Sequence, residues 1–91
     1  MANVVITFKI MPSSPDEDLN AIKKSATTFI EEAEGMVHKI EEEPIAFGLK
    51  AVLIMFLMNE AKGSTEELEA KISEIDGVNS VEVTDVRRAV G

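Results

Sequence analysis

Apolar and polar residues alternate along residues 4–11, which predicts a first strand with one buried face. The prolines and serines of residues 12–15 end it. Residues 36–43, 49–59 and 78–86 predict three more strands. The eight consecutive apolar residues at 51–58 indicate a strand covered on both faces, as expected at the centre of a sheet.

Two segments between these strands carry apolar residues at helical spacing. The first has its apolar stripe at Leu19, Ile22, Ala26, Phe29, Ile30 and Ala33. We expect Ser14 to be its N-cap, with Pro15 at the first helical position and Glu17 closing a capping box, and Gly35 to end it. The second repeats the capping pattern at Ser64 and Glu67, buries Leu68, Ile72 and Ile75, and ends at Gly77.

The order β-α-β-β-α-β predicts an α+β fold of the ferredoxin-like class, in one domain over residues 1–91. Right-handed crossovers arrange the strands as an antiparallel sheet in the order 4-1-3-2, with both helices on one face. The other face and its loops are then free for function.

Charge limits the choice of partner. The chain has 17 Asp and Glu against 9 Lys and Arg, a net charge of −8 that repels phosphate backbones. The excess either serves solubility alone or attracts a basic surface. RNA-recognition domains share this topology but need aromatic residues on the open sheet face. The chain has four Phe and no Tyr or Trp, and Phe47 and Phe56 are the ones left for a free surface, so we expect no direct nucleic-acid binding.

The second strand is rich in charge. Residues 41–43 are all Glu and Pro44 follows, which suits the edge of a sheet, where charge discourages pairing with another chain. Glu41 and Glu43 share one face because successive strand residues alternate. We interpret them as a solvated edge rather than a metal or acid-base cluster, and we expect the free protein to be a monomer.

Residues that could support catalysis are few. The absence of Cys excludes disulfides, thiolate metal sites and Cys nucleophiles. His38 has no nucleophile or second His at suggestive spacing, and the glycines form no phosphate-binding motif, so they are expected in turns and caps. We predict no enzyme activity, cofactor or metal site. With no signal-peptide pattern and no apolar run of about 20 residues, we expect a soluble cytoplasmic protein that does not enter membranes.

Two features remain open to a functional or a structural interpretation. Phe47 lies in an apparent loop between Pro44 and Gly48, and it is either a binding anchor or a plug beneath the end of the sheet. Arg87 and Arg88 close an acidic chain, and they form either a mobile basic tail or cations positioned by the last strand.

The residues Pro-Ile-Ala-Phe-Gly-Leu-Lys at 44–50, followed by the apolar strand, resemble the nucleotide-exchange domain of the elongation factor 1-beta family in its short archaeal form. The C-terminal segment also resembles this family, with Val-Asn-Ser-Val-Glu-Val at 78–83 followed by Val86-Arg87-Arg88. So does the N-terminal segment, in which Pro-Ser-Ser-Pro-Asp-Glu-Asp-Leu follows the first strand. The resemblance covers essentially the whole chain. It implies a ferredoxin-like fold and guanine-nucleotide exchange on elongation factor 1-alpha, the GTPase that delivers aminoacyl-tRNA.

The resemblance also implies four partner-binding residues. Phe47 matches an aromatic residue that packs on the second domain of the GTPase, and Lys50 matches a basic position just after that loop. Arg88 matches a near-terminal Lys directed towards the Mg²⁺ and phosphate site. Because Arg is not equivalent to Lys, Arg87 is a second candidate for that role. The rival function is a ligand-binding regulatory domain of the same topology, for which a Gly-rich loop is expected where residues 12–15 lie.

Overall fold

The computed structural model describes residues 3–59 and 65–89, with Arg88 and Ala89 described at the level of the backbone. The strands are β1 (Asn3–Pro12), β2 (Met36–Pro44), β3 (Lys50–Asn59) and β4 (Val78–Ala89), and the helices are α1 (Leu19–Glu32) and α2 (Thr65–Ser73). A tight turn that includes Ala46–Gly48 joins β2 to β3.

The strands form one antiparallel sheet in the order β2-β3-β1-β4, which is the predicted order 4-1-3-2 taken from the other edge. β3 and β1 are central, and β2 and β4 are the edges. The predicted α+β ferredoxin-like fold is confirmed. Within the described residues, no helix is long and apolar enough to cross a bilayer.

The core lies between the sheet and the two helices. It contains the alternate residues of the central strands together with one stripe from each helix: Ile6, Phe8, Ile10, Val52, Ile54, Phe56, Met58, Ile22, Ala26, Ile30, Leu68 and Ile72. Phe8 meets Phe56 edge to face, with ring centroids 5.0 Å apart. Phe56 is therefore not available on a free surface.

The open face of the sheet has an apolar centre and charged borders. Its half-buried apolar residues are Val5, Met11, Leu53, Met55 and Leu57. No aromatic side chain of the described residues lies on this face. The described part of this face thus lacks the aromatic residues on which an RNA-recognition domain stacks bases, and the absence of direct nucleic-acid binding stays a prediction.

The start of α1 differs from the prediction. Its N-cap is Asp18, whose carboxylate accepts hydrogen bonds from the backbone N–H groups of Asn20 and Ala21. Ser14 instead begins a turn in which the Glu17 N–H donates to the Ser14 carbonyl at 3.3 Å. The prediction of a capping box was wrong because Pro15 suits the second position of such a turn as well as the first helical position. The corresponding prediction for the second helix involves Ser64, which lies outside the described residues.

The end of α1 lies near the predicted place but is built differently. Glu34, not Gly35, takes the left-handed conformation, with φ 66°. The Gly35 N–H donates to the Ile30 carbonyl at 2.8 Å and the Glu34 N–H to the Glu31 carbonyl at 3.0 Å, as in a Schellman motif. Gly35 is required for space, because a Cβ there would lie 2.7 Å from Cγ2 of Ile30.

β4 is longer and less regular than predicted. Phe8 pairs with Val83 and Thr7 pairs with Asp85, so Thr84 is an extra residue in a bulge. The bulge lets Val81, Val83 and Val86 share the helix side of the sheet although their spacing is uneven. The strand continues through Arg87 to Ala89, paired with the first residues of β1.

Candidate partner-binding site

Phe47 lies in a closed turn at the tip of the β2–β3 hairpin. Phe47 has φ 62° and ψ 31°, and Gly48 has φ 78°. The Leu49 N–H donates to the Ala46 carbonyl at 3.3 Å, and the Ile45 N–H donates to the Leu49 carbonyl at 2.7 Å. Two successive positive φ angles inside an i to i+3 hydrogen bond define a type I′ turn, whose twist suits an antiparallel hairpin.

The Phe47 side chain projects into solvent from this turn. It is 93% exposed, the highest value among the large apolar side chains of the described residues. The alternative of a plug beneath the sheet is therefore wrong. A non-glycine residue in the left-handed region costs about 1–2 kcal/mol, and so exposed a ring recovers little of that by packing on its own chain. Such a costly, exposed arrangement is the kind from which a functional hypothesis is drawn.

Lys50 begins β3 just beyond the same tip. It is exposed and pairs with Pro44. Nearby, Lys23 of α1 forms an ion pair with Glu42 of β2. The hydrogen bond from Lys23 and then its charge hold the pKa of Glu42 below its ordinary value of 4.5, and the charge of Lys50 lowers it further. Lys50 is thus close to the Glu42 carboxylate, but that carboxylate is already paired with Lys23.

The two arginines lie in the last strand rather than in a free tail. Arg87 pairs with Val5, and its Nε lies 2.8 Å from Oδ2 of Asp85 while its side chain stays 78% exposed. Arg88 pairs with Val4 through its backbone. The side chain of Arg88 lies outside the described part of the chain, so its predicted role remains a prediction. The backbone pairing contradicts the interpretation of Arg87 and Arg88 as a mobile tail.

The structure separates the four candidate residues into two pairs at opposite ends of the sheet. β3 leads away from the Phe47 turn until Met58 pairs with Val4, the residue that also pairs with Arg88. Nine residue steps from Leu49 to Met58, at about 3.3 Å each, correspond to about 30 Å. The molecule is elongated accordingly, with extents of 42 × 20 × 17 Å.

The other candidate groups show no reactive arrangement. His38 is exposed at a bulge in β2. Glu41 and Glu43 share one face of that edge strand, as predicted, and the structure shows that it is the open face. Across residues 3–59 and 65–89, no three His, Cys, Asp or Glu side chains are grouped closely enough to hold a metal ion. The predicted absence of a cofactor stays a prediction.

A groove between α1 and the turn into β4 is the natural place to look for a small ligand. Its volume is about 440 Å³, and its walls include the carboxylates of Glu17, Asp18 and Asp76 beside Phe29 and Ile75. These carboxylates would repel the carboxylate of an amino acid and attract its ammonium group, so the groove does not decide for or against the amino-acid-binding regulatory function.

Two features of the site could not be found from the sequence. One feature of the sequence, the Gly48 that follows, was consistent with the left-handed conformation of Phe47. The first central residue of a type I′ turn is usually Asn, Asp or Gly, however, so a Phe there was not expected. The Lys23–Glu42 pair spans 19 residues of sequence and had no signal at all.

The fold and its exposed groups define an α+β domain that presents an aromatic ring at one end and the guanidinium of Arg87 at the other. The sequence model of the EF-1 guanine nucleotide exchange domain matches residues 5–89. The chain belongs to this family.

Similar proteins named elongation factor 1-beta occur in archaea. The one from Methanothermobacter thermautotrophicus is 52% identical over 88 residues, 97% of this chain and 98% of that protein. The one from Methanobrevibacter smithii is 50% identical with the same coverage, and that from Methanocaldococcus jannaschii is 37% identical over 98% of this chain and all of that protein. Guanine nucleotide exchange in translation elongation is the function that these similarities assign.

Solved structures with other functions share the fold, and two examples illustrate this. The ACT domain of GTP pyrophosphokinase from Chlorobium tepidum superposes with a TM-score of 0.61 at 18% identity, covering 89% of this chain and 97% of that one. The C-terminal domain of MgtC from Mycobacterium tuberculosis gives 0.65 at 15% identity, covering 97% and 88%. At such low identity the likeness concerns the fold alone.

Proposed function

We propose that this domain promotes release of GDP from elongation factor 1-alpha by contacting that GTPase at two separate places. The observation that carries the proposal is the layout of the exposed groups. Phe47 extends from a closed turn at one end, and Arg87 and Arg88 lie in the last strand about 30 Å away at the other. One small domain can thus bind one part of a GTPase while its other end reaches the nucleotide site.

Phe47 is proposed as the anchor, in agreement with the aromatic position that packs on the second domain of the GTPase. The ring is exposed in the free protein and would be buried in an apolar pocket of the partner. Aromatic anchors of this kind often dominate the binding energy of an interface. Lys50, close to the same turn, would then meet an acidic group beside that pocket.

The arginine end is proposed to act on the nucleotide. GDP is held partly by Mg²⁺, which requires nearly octahedral oxygen ligands. A cation placed beside the phosphate would compete with that metal for the same oxygens. The position of Arg88 matches the near-terminal Lys of the family. Arg87, the preceding residue of the strand, has an exposed guanidinium paired with Asp85 and is the second candidate.

The energetic requirement follows from linkage. A protein that binds the GTPase more tightly in the absence of Mg²⁺ and GDP must weaken nucleotide binding by the same factor. A thousandfold weakening corresponds to about 4 kcal/mol of differential binding. Exchange needs no covalent bond to be made or broken, so we propose no enzyme chemistry, no cofactor and no direct contact with nucleic acid.

The test is release of a fluorescent GDP analogue from the GTPase. Arg88→Ala and Arg87→Ala, singly and together, should slow stimulated release, and Lys24→Ala on the exposed face of α1 is the matched control. The loss should shrink when EDTA removes Mg²⁺, because no metal is left to displace. Point variants are preferable to truncation, which would remove the pairing of Arg87 and Arg88 with β1. Full activity of the double variant would remove the arginine end from the mechanism.

The free domain is proposed to be a monomer that works in the cytoplasm, where translation takes place. β2 offers an edge of four exposed residues from Glu41 to Pro44, which disfavours pairing with a second copy. Sedimentation at micromolar concentration should show one species of 9.9 kDa. A tight dimer would contradict this part of the proposal.

A further inference from the structure

We infer that Gly48 is a positioning residue, which acts by holding the turn in the conformation that aims Phe47 at its partner. This inference rests on the proposed function, in which Phe47 is the anchor. The residue itself offers the partner no side chain. Its contribution is the backbone conformation at φ 78°, directly after Phe47.

The conformation is demanding because both central residues of the turn are left-handed. Phe47 at φ 62° already has an unfavourable backbone, so the turn tolerates no second penalty easily. Glycine adopts positive φ without the clash that a Cβ creates. With Gly48 in place, the two hydrogen bonds that join Ile45, Ala46 and Leu49 can close the turn.

Space is not what requires a glycine at this position. An L-configured Cβ on Gly48 would have as its nearest neighbour Cβ of Pro15 at 3.8 Å, which is ordinary van der Waals contact. Gly48 is also exposed. Replacement by alanine therefore changes the backbone preference and leaves the packing nearly untouched.

The consequence for binding follows from populations. If the turn adopts other conformations, Phe47 points elsewhere, and the apparent affinity falls by the fraction of molecules that remain competent. A left-handed penalty of the usual size corresponds to a factor of roughly five to thirty. Affinity should change by that factor, whereas the pairing of the sheet, which ends at Pro44 and Lys50, should stay intact.

The experiment compares L-alanine with D-alanine at position 48 in the full chain. The chain has no cysteine, so it can be assembled by ligation at a temporary cysteine at position 51 that is desulfurised to the native Ala51. The two isomers have the same composition and opposite φ preferences. We expect affinity for elongation factor 1-alpha to fall roughly five- to thirtyfold for the L-alanine variant and to stay within about twofold of the synthetic wild type for the D-alanine variant.

A second set of variants separates the inference from the proposed function. Phe47→Ala should weaken binding, and in that background the L-alanine and D-alanine variants of Gly48 should bind equally, because there is no anchor left to aim. Equal affinity of the two alanine isomers with Phe47 present would overturn the positioning role and leave the anchor intact. No effect of Phe47→Ala would overturn the anchor and the positioning role together.

Discussion

Replacing Phe47 by Asn should stabilise the protein and weaken its binding to the GTPase. Phe47 carries a left-handed penalty of about 1–2 kcal/mol, whereas Asn adopts this region readily, so we expect recovery of about 0.5–1 kcal/mol. The side chain is 93% exposed, so little packing is lost in return. For a domain of this size the gain corresponds to a rise in Tm of about 2–8 °C. Binding should weaken by about 1–3 kcal/mol, as for the loss of an aromatic anchor.

Phe47→Ala is the matched control. Alanine removes the ring but has the same difficulty at positive φ, so its Tm should stay close to that of the wild type while binding weakens as much as for Asn. Thermal unfolding and calorimetric titration against the GTPase measure both quantities. A lower Tm for Phe47→Asn would refute the reasoning, because it would mean that the ring packs on its own chain.

Two further predictions concern the body of the domain. Lys23→Met should raise the pKa of Glu42 towards 4.5, as measured by an NMR titration. Folding lowers this pKa in the wild type, so the ion pair stabilises the protein above pH 4.5, and that stabilisation is lost as the pH falls through the lowered pKa. A Glu42 titration unchanged by the variant would contradict this. Gly35→Ala should cost about 1–3 kcal/mol in urea unfolding, because its Cβ would approach Ile30 Cγ2 to 2.7 Å. Unchanged stability would show that Ile30 can move aside.

The order of elements was predictable because it depends on periodicity alone. The alternation in β1 and the apolar stripe of α1 each identify an element without reference to the rest of the chain. The topology then follows from the handedness of crossovers. The longest apolar run, residues 51–58, lies within central strand β3, as expected of a strand covered on both faces.

The ends of the elements were less predictable because several residues offer the same local signal. Ser14 and Asp18 can both cap a helix, and Glu34 and Gly35 both lie where α1 stops. Tertiary contacts help to decide between them: the Ser13 N–H donates to the Gly77 carbonyl at 2.8 Å, and a Cβ on Gly35 would lie 3.3 Å from Cδ2 of Phe56. These contacts join parts of the chain that no local pattern connects.

β4 illustrates the same limit for a strand. Val81 and Val83 predict one phase of alternation, and Val86 belongs to the other. Only the pairing with β1 shows that Thr84 is a bulge residue and that the strand continues to Ala89. Pairing with β1, which the local sequence does not reveal, is therefore what places Arg87 and Arg88 in a strand rather than in a tail.

At the candidate site, the sequence allowed two interpretations of Phe47, a binding anchor in a loop or a plug in the core, and it did not distinguish between them. The choice depends on whether the hairpin turns towards the helices or away from them, which the residues around Phe47 do not encode. The pairing of Pro44 with Lys50 keeps the turn beyond the end of the sheet, where the ring has nothing to pack on.

In the proposed mechanism, the distance between Phe47 and the arginine end would let this small domain act on a nucleotide bound by the GTPase without surrounding that nucleotide. Two contacts on one rigid body act as a bivalent ligand, and the second forms at an effective concentration set by the geometry of the first. β3 supplies that rigidity, because its helix-facing residues Val52, Ile54 and Phe56 are fully buried between the two ends. A strong apolar anchor at Phe47 would then let a weak cationic contact at Arg87 or Arg88 compete with Mg²⁺. The domain would leave once the anchor is released, since the arginine end alone would bind weakly.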